Sequence, residues 1–153
     1  MPMINQWILV ADGSRARLLH LRTRLKPLEE IEDFVHTASR MHDPELATDE
    51  PGRVHESRGQ VRHAMGEPDQ VKEEEKRKFA RELADRLRQG RIEGRYDGLI
   101  LIAPPQFLGE LREALDGPTA EKITQTFDKD LVDADEATLR RLLDLPPPKR
   151  PEV

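Results

Sequence analysis

The segment GRVHESRGQVRH (52–63) gathers the residue types best suited to contacting a polyanion. Arg53, Arg58 and Arg62 stand against a single acid, Glu56. A guanidinium offers a planar fork of donors that matches a phosphate. His55 and His63 add positive charge at mildly acidic pH. Gly59 lets a backbone approach a ligand closely, and Gln60 follows it. The next helical stretch carries Lys72, Lys76, Arg77, Lys78 and Arg81. Together, Arg53, Arg58, Gly59, Gln60, Arg62, Lys76 and Arg77 form a candidate RNA-phosphate contact set. The segment has no aromatic residue, so base stacking on it is not expected. On residue chemistry alone, a mobile surface loop kept soluble by its charges explains the same pattern slightly better.

Elsewhere the sequence is poor in chemistry. It contains no GxGxxG, P-loop, GxSxG or HExxH pattern. Cysteine is absent, which excludes a disulfide scaffold, a thiolate zinc site and a Cys nucleophile. His20, His36, His42, His55 and His63 include no i, i+4 helical pair, so no metal and no cofactor is expected. Asp12-Gly13-Ser14, at a strand end, offers an acid, but Asp-Gly is a favoured turn pair and a turn is the better reading.

These residues need elements to position them. NQWILVAD (5–12) contains a continuous apolar run, as in a strand buried on both faces. ARLLHL (16–21) follows the Asp12-Gly13 turn and predicts an antiparallel hairpin. LEEIEDFVH (28–36) reads as a third, more exposed strand. Residues 37–68 show almost no apolar periodicity, and structureless stretches of that length in a compact domain are usually functional or disordered. Phe79, Leu83 and Leu87 recur every fourth residue and predict a helix over about 69–90, ended by Gly90 and Gly94. LILIA (99–103) is the most strand-like run. FLGELREAL (107–115) predicts a helix that Asp116-Gly117-Pro118 breaks. KITQTFD (122–128) predicts a strand with Ile123 and Phe127 on one face. A last helix over about 135–144 points Leu139, Leu142 and Leu143 inward. The pattern indicates one α/β domain over 1–145, with a mixed sheet, an N-terminal antiparallel hairpin and flanking helices. The tail PPPKRPEV (146–153) is expected to be flexible.

Composition narrows the functional classes. Among 153 residues, Leu, Ile, Val and Phe total 37, enough for a modest core. The net charge of −5 argues against a general nucleic-acid binder. Yet residues 52–95 hold 12 Lys/Arg against 9 Asp/Glu, while the remainder holds 13 against 21. The basic feature is therefore local. No apolar run is long enough to span a membrane, and the N-terminus lacks a basic region before its apolar stretch. The sequence-level expectation is a cytoplasmic protein with no membrane partner. Its oligomeric state is open.

Five segments resemble, in order and spacing, a bacterial family called protein required for attachment to host cells. They are WILVADGSRARLL (7–19), PGRVHESRGQVRHAM (51–65), EEKRKFARELADRL (74–87), YDGLILIAPPQFLGELREAL (96–115) and FDKDLV (127–132). That family is in turn similar to the middle domain of archaeo-eukaryotic peptide-chain release factors. The resemblance implies a ribonuclease-H-like fold. It also implies that Arg58-Gly59-Gln60 corresponds to the Gly-Gly-Gln loop presented to the ribosome, with Arg58 in place of the first glycine. Three functions follow as expectations. The first is a ribosome- or RNA-associated translation or stress factor using loop 52–63, not an enzyme or only weakly one. The second is a non-catalytic interaction protein, with a protein partner, involved in host attachment. The third is a peptidyl-tRNA ester hydrolase using Gln60 as its catalytic residue.

Overall fold

The computed structural model describes residues 4–37 and 68–149. Five strands form one sheet: β1 (Gln6–Ala11), β2 (Arg15–Leu21), β3 (Glu29–Val35), β4 (Gly98–Ile102) and β5 (Ile123–Phe127). Their spatial order is β3-β2-β1-β4-β5. β2 pairs antiparallel with both β1 and β3, whereas β1/β4 and β4/β5 are parallel. The expected mixed sheet and N-terminal hairpin are both present. The helices are α1 (Pro68–Ile92), α2 (Pro105–Ala114), the single turn α3 (Gly117–Ala120) and α4 (Glu136–Leu142).

β1 and β4 are central strands covered on both sides, which is why their sequences are continuously apolar. On one face Trp7, Leu9, Leu99 and Leu101 pack against Phe79, Leu83 and Leu87 of α1 and against Phe107 and Leu111 of α2. On the other face Ile8, Val10, Ile100 and Ile102 meet Leu139 of α4, Leu143 at its end and Val132. β3 is an edge strand and mostly exposed, as its acidic sequence suggests. Leu18 pairs with Glu32 but Leu19 with Glu30, so Ile31 is the extra residue of a bulge.

Four local readings change. α1 continues through Gly90 to Ile92, because this glycine serves packing and does not terminate the helix. A Cβ at Gly90 would lie 2.4 Å from the Trp7 ring. Gly94, at φ +68°, follows the helix and donates its N–H to the Arg91 carbonyl. Ile123 and Phe127 lie on opposite faces, since a bulge lets Leu99 pair with Ile123 while Ile100 pairs with Gln125. Thr124 is the extra residue, and its hydroxyl donates to the Leu99 carbonyl at 3.1 Å. Asp116-Gly117-Pro118 ends α2, but Gly117 and Pro118 also open α3, which Arg91 of α1 ties down through Thr119 Oγ1 at 3.0 Å.

The fourth change concerns the proline-rich tail. Pro146 accepts a hydrogen bond from Arg140 Nε at 2.6 Å, and Lys149 N–H donates to the Leu25 carbonyl at 2.7 Å. Residues 146–149 therefore run against the domain, while 150–153 lie outside the described residues. Arg140 itself is buried within α4. Its Nη1 donates to the Lys26 carbonyl at 3.2 Å and to Glu136 Oε2 at 3.0 Å, and its Nη2 donates to the Arg24 carbonyl. Glu136 Oε2 also accepts from Leu28 N–H at 3.0 Å. A buried guanidinium requires this many partners, since leaving one donor unmet would cost on the order of 1–3 kcal/mol.

Candidate functional site

The register brings the carboxyl ends of β1, β3, β4 and β5 to one end of the sheet. Open α/β sheets characteristically bind ligands at that end. The chain leaves β3 there through His36 and re-enters through the first turns of α1. Residues 38–67 are thus inserted at this end. Arg53, Arg58, Gly59, Gln60 and Arg62 belong to that insertion and lie outside the described residues, as does the whole of loop 52–63. Of the sequence-selected set, Lys76 and Arg77 are described.

Asp12 is committed to the turn. Its Oδ1 accepts from Ser14 N–H at 3.0 Å, Ser14 Oγ at 3.3 Å and Arg15 N–H at 2.9 Å. Gly13 takes φ +101°, and a Cβ placed there would meet Lys76 Cε at 3.3 Å. The turn thus supports the aliphatic part of Lys76. Arg77 is surrounded by carboxylates: Glu74 at 3.1 Å, Glu110 at 3.7 Å and Glu73 at 3.8 Å. A phosphate reaching Arg77 has to compete with three acids of the same chain. Lys78 pairs with Glu75 at 3.4 Å, and Arg81 approaches Glu74 at 4.0 Å. The basic character that the sequence assigns to this helix is therefore largely balanced on its own surface.

Sequence reasoning missed the contact that pins β3 to α1. His36 N–H donates to the Ser14 carbonyl at 2.8 Å, so the residue just past β3 is tied to the β1–β2 turn. Its ring stacks on Phe79 with centroids 5.3 Å apart. His36 Nε2 lies 3.0 Å from Glu75 Oε2, and Nδ1 lies 3.9 Å from Glu82 Oε1. The hydrogen bond from His36, seconded by Lys78, holds the Glu75 carboxyl below the usual carboxylate range. The one available signal was a histidine at the strand boundary, and the Glu75 it bonds stands 39 residues away.

Among the described residues, no three His, Asp or Glu side chains are placed to hold a metal ion. No described helix is long and apolar enough to cross a membrane.

Sheet order, layers and connectivity define an α/β protein with a five-stranded mixed sheet and a 30-residue insertion, 38–67, between β3 and α1. A family model described as "Protein required for attachment to host cells" matches residues 7–143, and the chain belongs to that family. No curated protein matches the chain.

Proposed function

We propose that the protein acts as a non-catalytic binding protein in attachment to host cells. The family match over nearly the whole chain carries this reading. The surface that recognises a partner is the sheet end where residues 38–67 are inserted, with Arg53, Arg58 and Arg62 as its charged contacts. The test compares bacterial adherence to host cells for a deletion strain, the strain restored with the full chain, and a strain restored with the three arginines changed to glutamate. Adherence is expected to fall on deletion, return with the native chain and return only in part with the variant. Unchanged adherence of the deletion strain removes the reading.

A second reading has its own support. The order β3-β2-β1-β4-β5, with three antiparallel strands followed by two parallel ones, favours a ribonuclease-H-like fold similar to the release-factor middle domain. The insertion of Arg58-Gly59-Gln60 between β3 and α1 favours a cytoplasmic ribosome-associated factor, with Lys76 and Arg77 beside the entry point. Co-sedimentation with ribosomes at low salt, lost at high salt, is its expected outcome. In the hydrolase version of this reading, Gln60→Ala abolishes hydrolysis of peptidyl-tRNA esters, and equal rates for the variant dismiss it.

A further inference from the structure

The opposite end of the sheet, where β1, β3 and β4 begin, carries a separate groove of about 610 Å³. Its volume lies within the ~300–1,000 Å³ range of small-molecule sites. Three arginines from three places line it: Arg22 after β2, Arg86 on α1, and Arg95 in the connection from α1 to β4. Each is oriented by a carboxylate through its Nε: Arg22 by Glu29 at 2.5 Å, Arg86 by Glu32 at 2.8 Å and Arg95 by Glu93 at 3.1 Å. Arg86 also lies over the Trp7 ring, 5.0 Å from its centroid. The terminal amino groups of all three make no hydrogen bond among the described residues. The forks are thus held in place with their donor ends unused, the arrangement that suits bidentate binding of an anion.

Asn5, His20, Glu29 and Glu30 bring hydrogen-bond acceptors to the same lining. Asn5 Nδ2 donates to Asp97 at 3.3 Å, so its Oδ1 faces His20 Nε2 at 2.7 Å. That contact places the imidazole proton on Nε2 and leaves Nδ1 as an acceptor when the ring is neutral. Burial, helped by Arg22, lowers the His20 pKa and favours the neutral ring. Nδ1 stands 4.0 Å from Glu29 Oε1. Glu29 Oε1 already accepts from Arg22 Nε, so His20 Nδ1 is the acceptor left open on this wall. Glu30 adds a further carboxylate to the same wall.

We propose that this groove binds a small anion that also bears hydroxyl groups, a sugar phosphate or an acidic sugar. The anionic group takes the free ends of Arg22, Arg86 and Arg95, and hydroxyls donate to His20 Nδ1, Glu29 and Glu30. The site is independent of the functional readings above, which concern the other end of the sheet.

Trp7 is the chain's only tryptophan, so its fluorescence reports directly on the groove. The experiment titrates the full chain with glucose 6-phosphate, glucuronate, glucose and inorganic phosphate. A saturable change is expected with at least one of the two anionic sugars, and whichever binds tighter identifies the source of the charge. Arg95→Gln, on an exposed connection, and Arg22→Gln are each expected to weaken binding about tenfold. No saturable change up to roughly 10 mM, beyond the weak-ligand range, overturns the proposal. So do unaltered affinities in both variants. Equal affinity for inorganic phosphate and glucose 6-phosphate overturns the assignment of the acceptor wall.

Discussion

On the face covered by α1 and α2, aromatic rings fill the space between sheet and helices, with Phe79 and Phe107 stacked at 5.9 Å and Trp7 against Tyr96 at 4.8 Å. On the opposite face, the seven-residue α4 does the covering with aliphatic side chains, and a buried guanidinium binds its margin to the β2–β3 connection and the tail. The long helix can rely on its own apolar stripe. The short one presents too little surface, and directed polar contacts supplement it. The contrast shows that a sheet can be closed by bulk or by a clasp, with different sensitivities to substitution.

Phe79→Ala should produce the largest loss, roughly 3–5 kcal/mol, because it empties the centre of the aromatic layer. Urea unfolding measures it, and a loss below that of a surface substitution would erase the distinction between faces. Arg140→Ala should cost about 3 kcal/mol on the clasped face, since it strands Glu136 and three carbonyls. It should also release the segment around Lys149, seen as faster proteolysis of the tail.

Tyr96 is the polar handle of the aromatic face. Its hydroxyl donates to the Leu87 carbonyl at 2.6 Å, and burial pushes its pKa up to about 12. A group held protonated in the fold contributes stability that is intact below its ordinary value of 10 and is lost as pH rises toward 12. The loss should be roughly 2–3 kcal/mol. Tyr96 is the only tyrosine, so ultraviolet titration reads it cleanly; an ordinary titration in the folded protein would contradict the burial argument.

Gly90→Ala sharpens the same face. Helix propensity favours alanine by about 1 kcal/mol, but the added methyl meets the Trp7 ring. A net loss of about 1–2 kcal/mol is expected from overpacking. A gain in thermal stability would show that the ring yields. The smallest effect belongs to the rim, where His36 meets Glu75. A carboxyl held below its ordinary value of 4.5 contributes stability above that pH and loses it as the pH falls further. The term is worth at most about 1 kcal/mol, and His36→Ala should flatten this part of the acid limb.

The elements that relied on a single period were legible. The Phe79, Leu83 and Leu87 stripe and the unbroken runs of β1 and β4 encode helix, strands and two-sided burial directly. Bulges were not legible. Ile123 and Phe127 share a parity in the chain, and only the pairing with β4 shows that Thr124 shifts one of them to the other face. Arg140 sits in a Leu-rich helix where an arginine normally marks solvent, and two of its acceptors, the Lys26 and Arg24 carbonyls, are more than a hundred residues away. At the candidate site, the sequence isolated residues 52–63 by their lack of periodicity and selected Lys76 and Arg77 by charge. Glu73 and Glu74, one turn before Arg77, could be read from the sequence as its partners; Glu110 could not, because it comes from another helix.

β1 lies beside β2 in the chain, yet its other neighbour in the sheet is β4, and Asn5 meets Asp97 across 92 positions. During synthesis the first three strands emerge with β1 bare on one edge and on both faces until α1, β4 and α4 have followed. Non-local pairing of this kind is slow to form and leaves apolar surface exposed meanwhile. A chain stopped before Gly98 lacks β4 and β5, and β1 is left without its parallel neighbour.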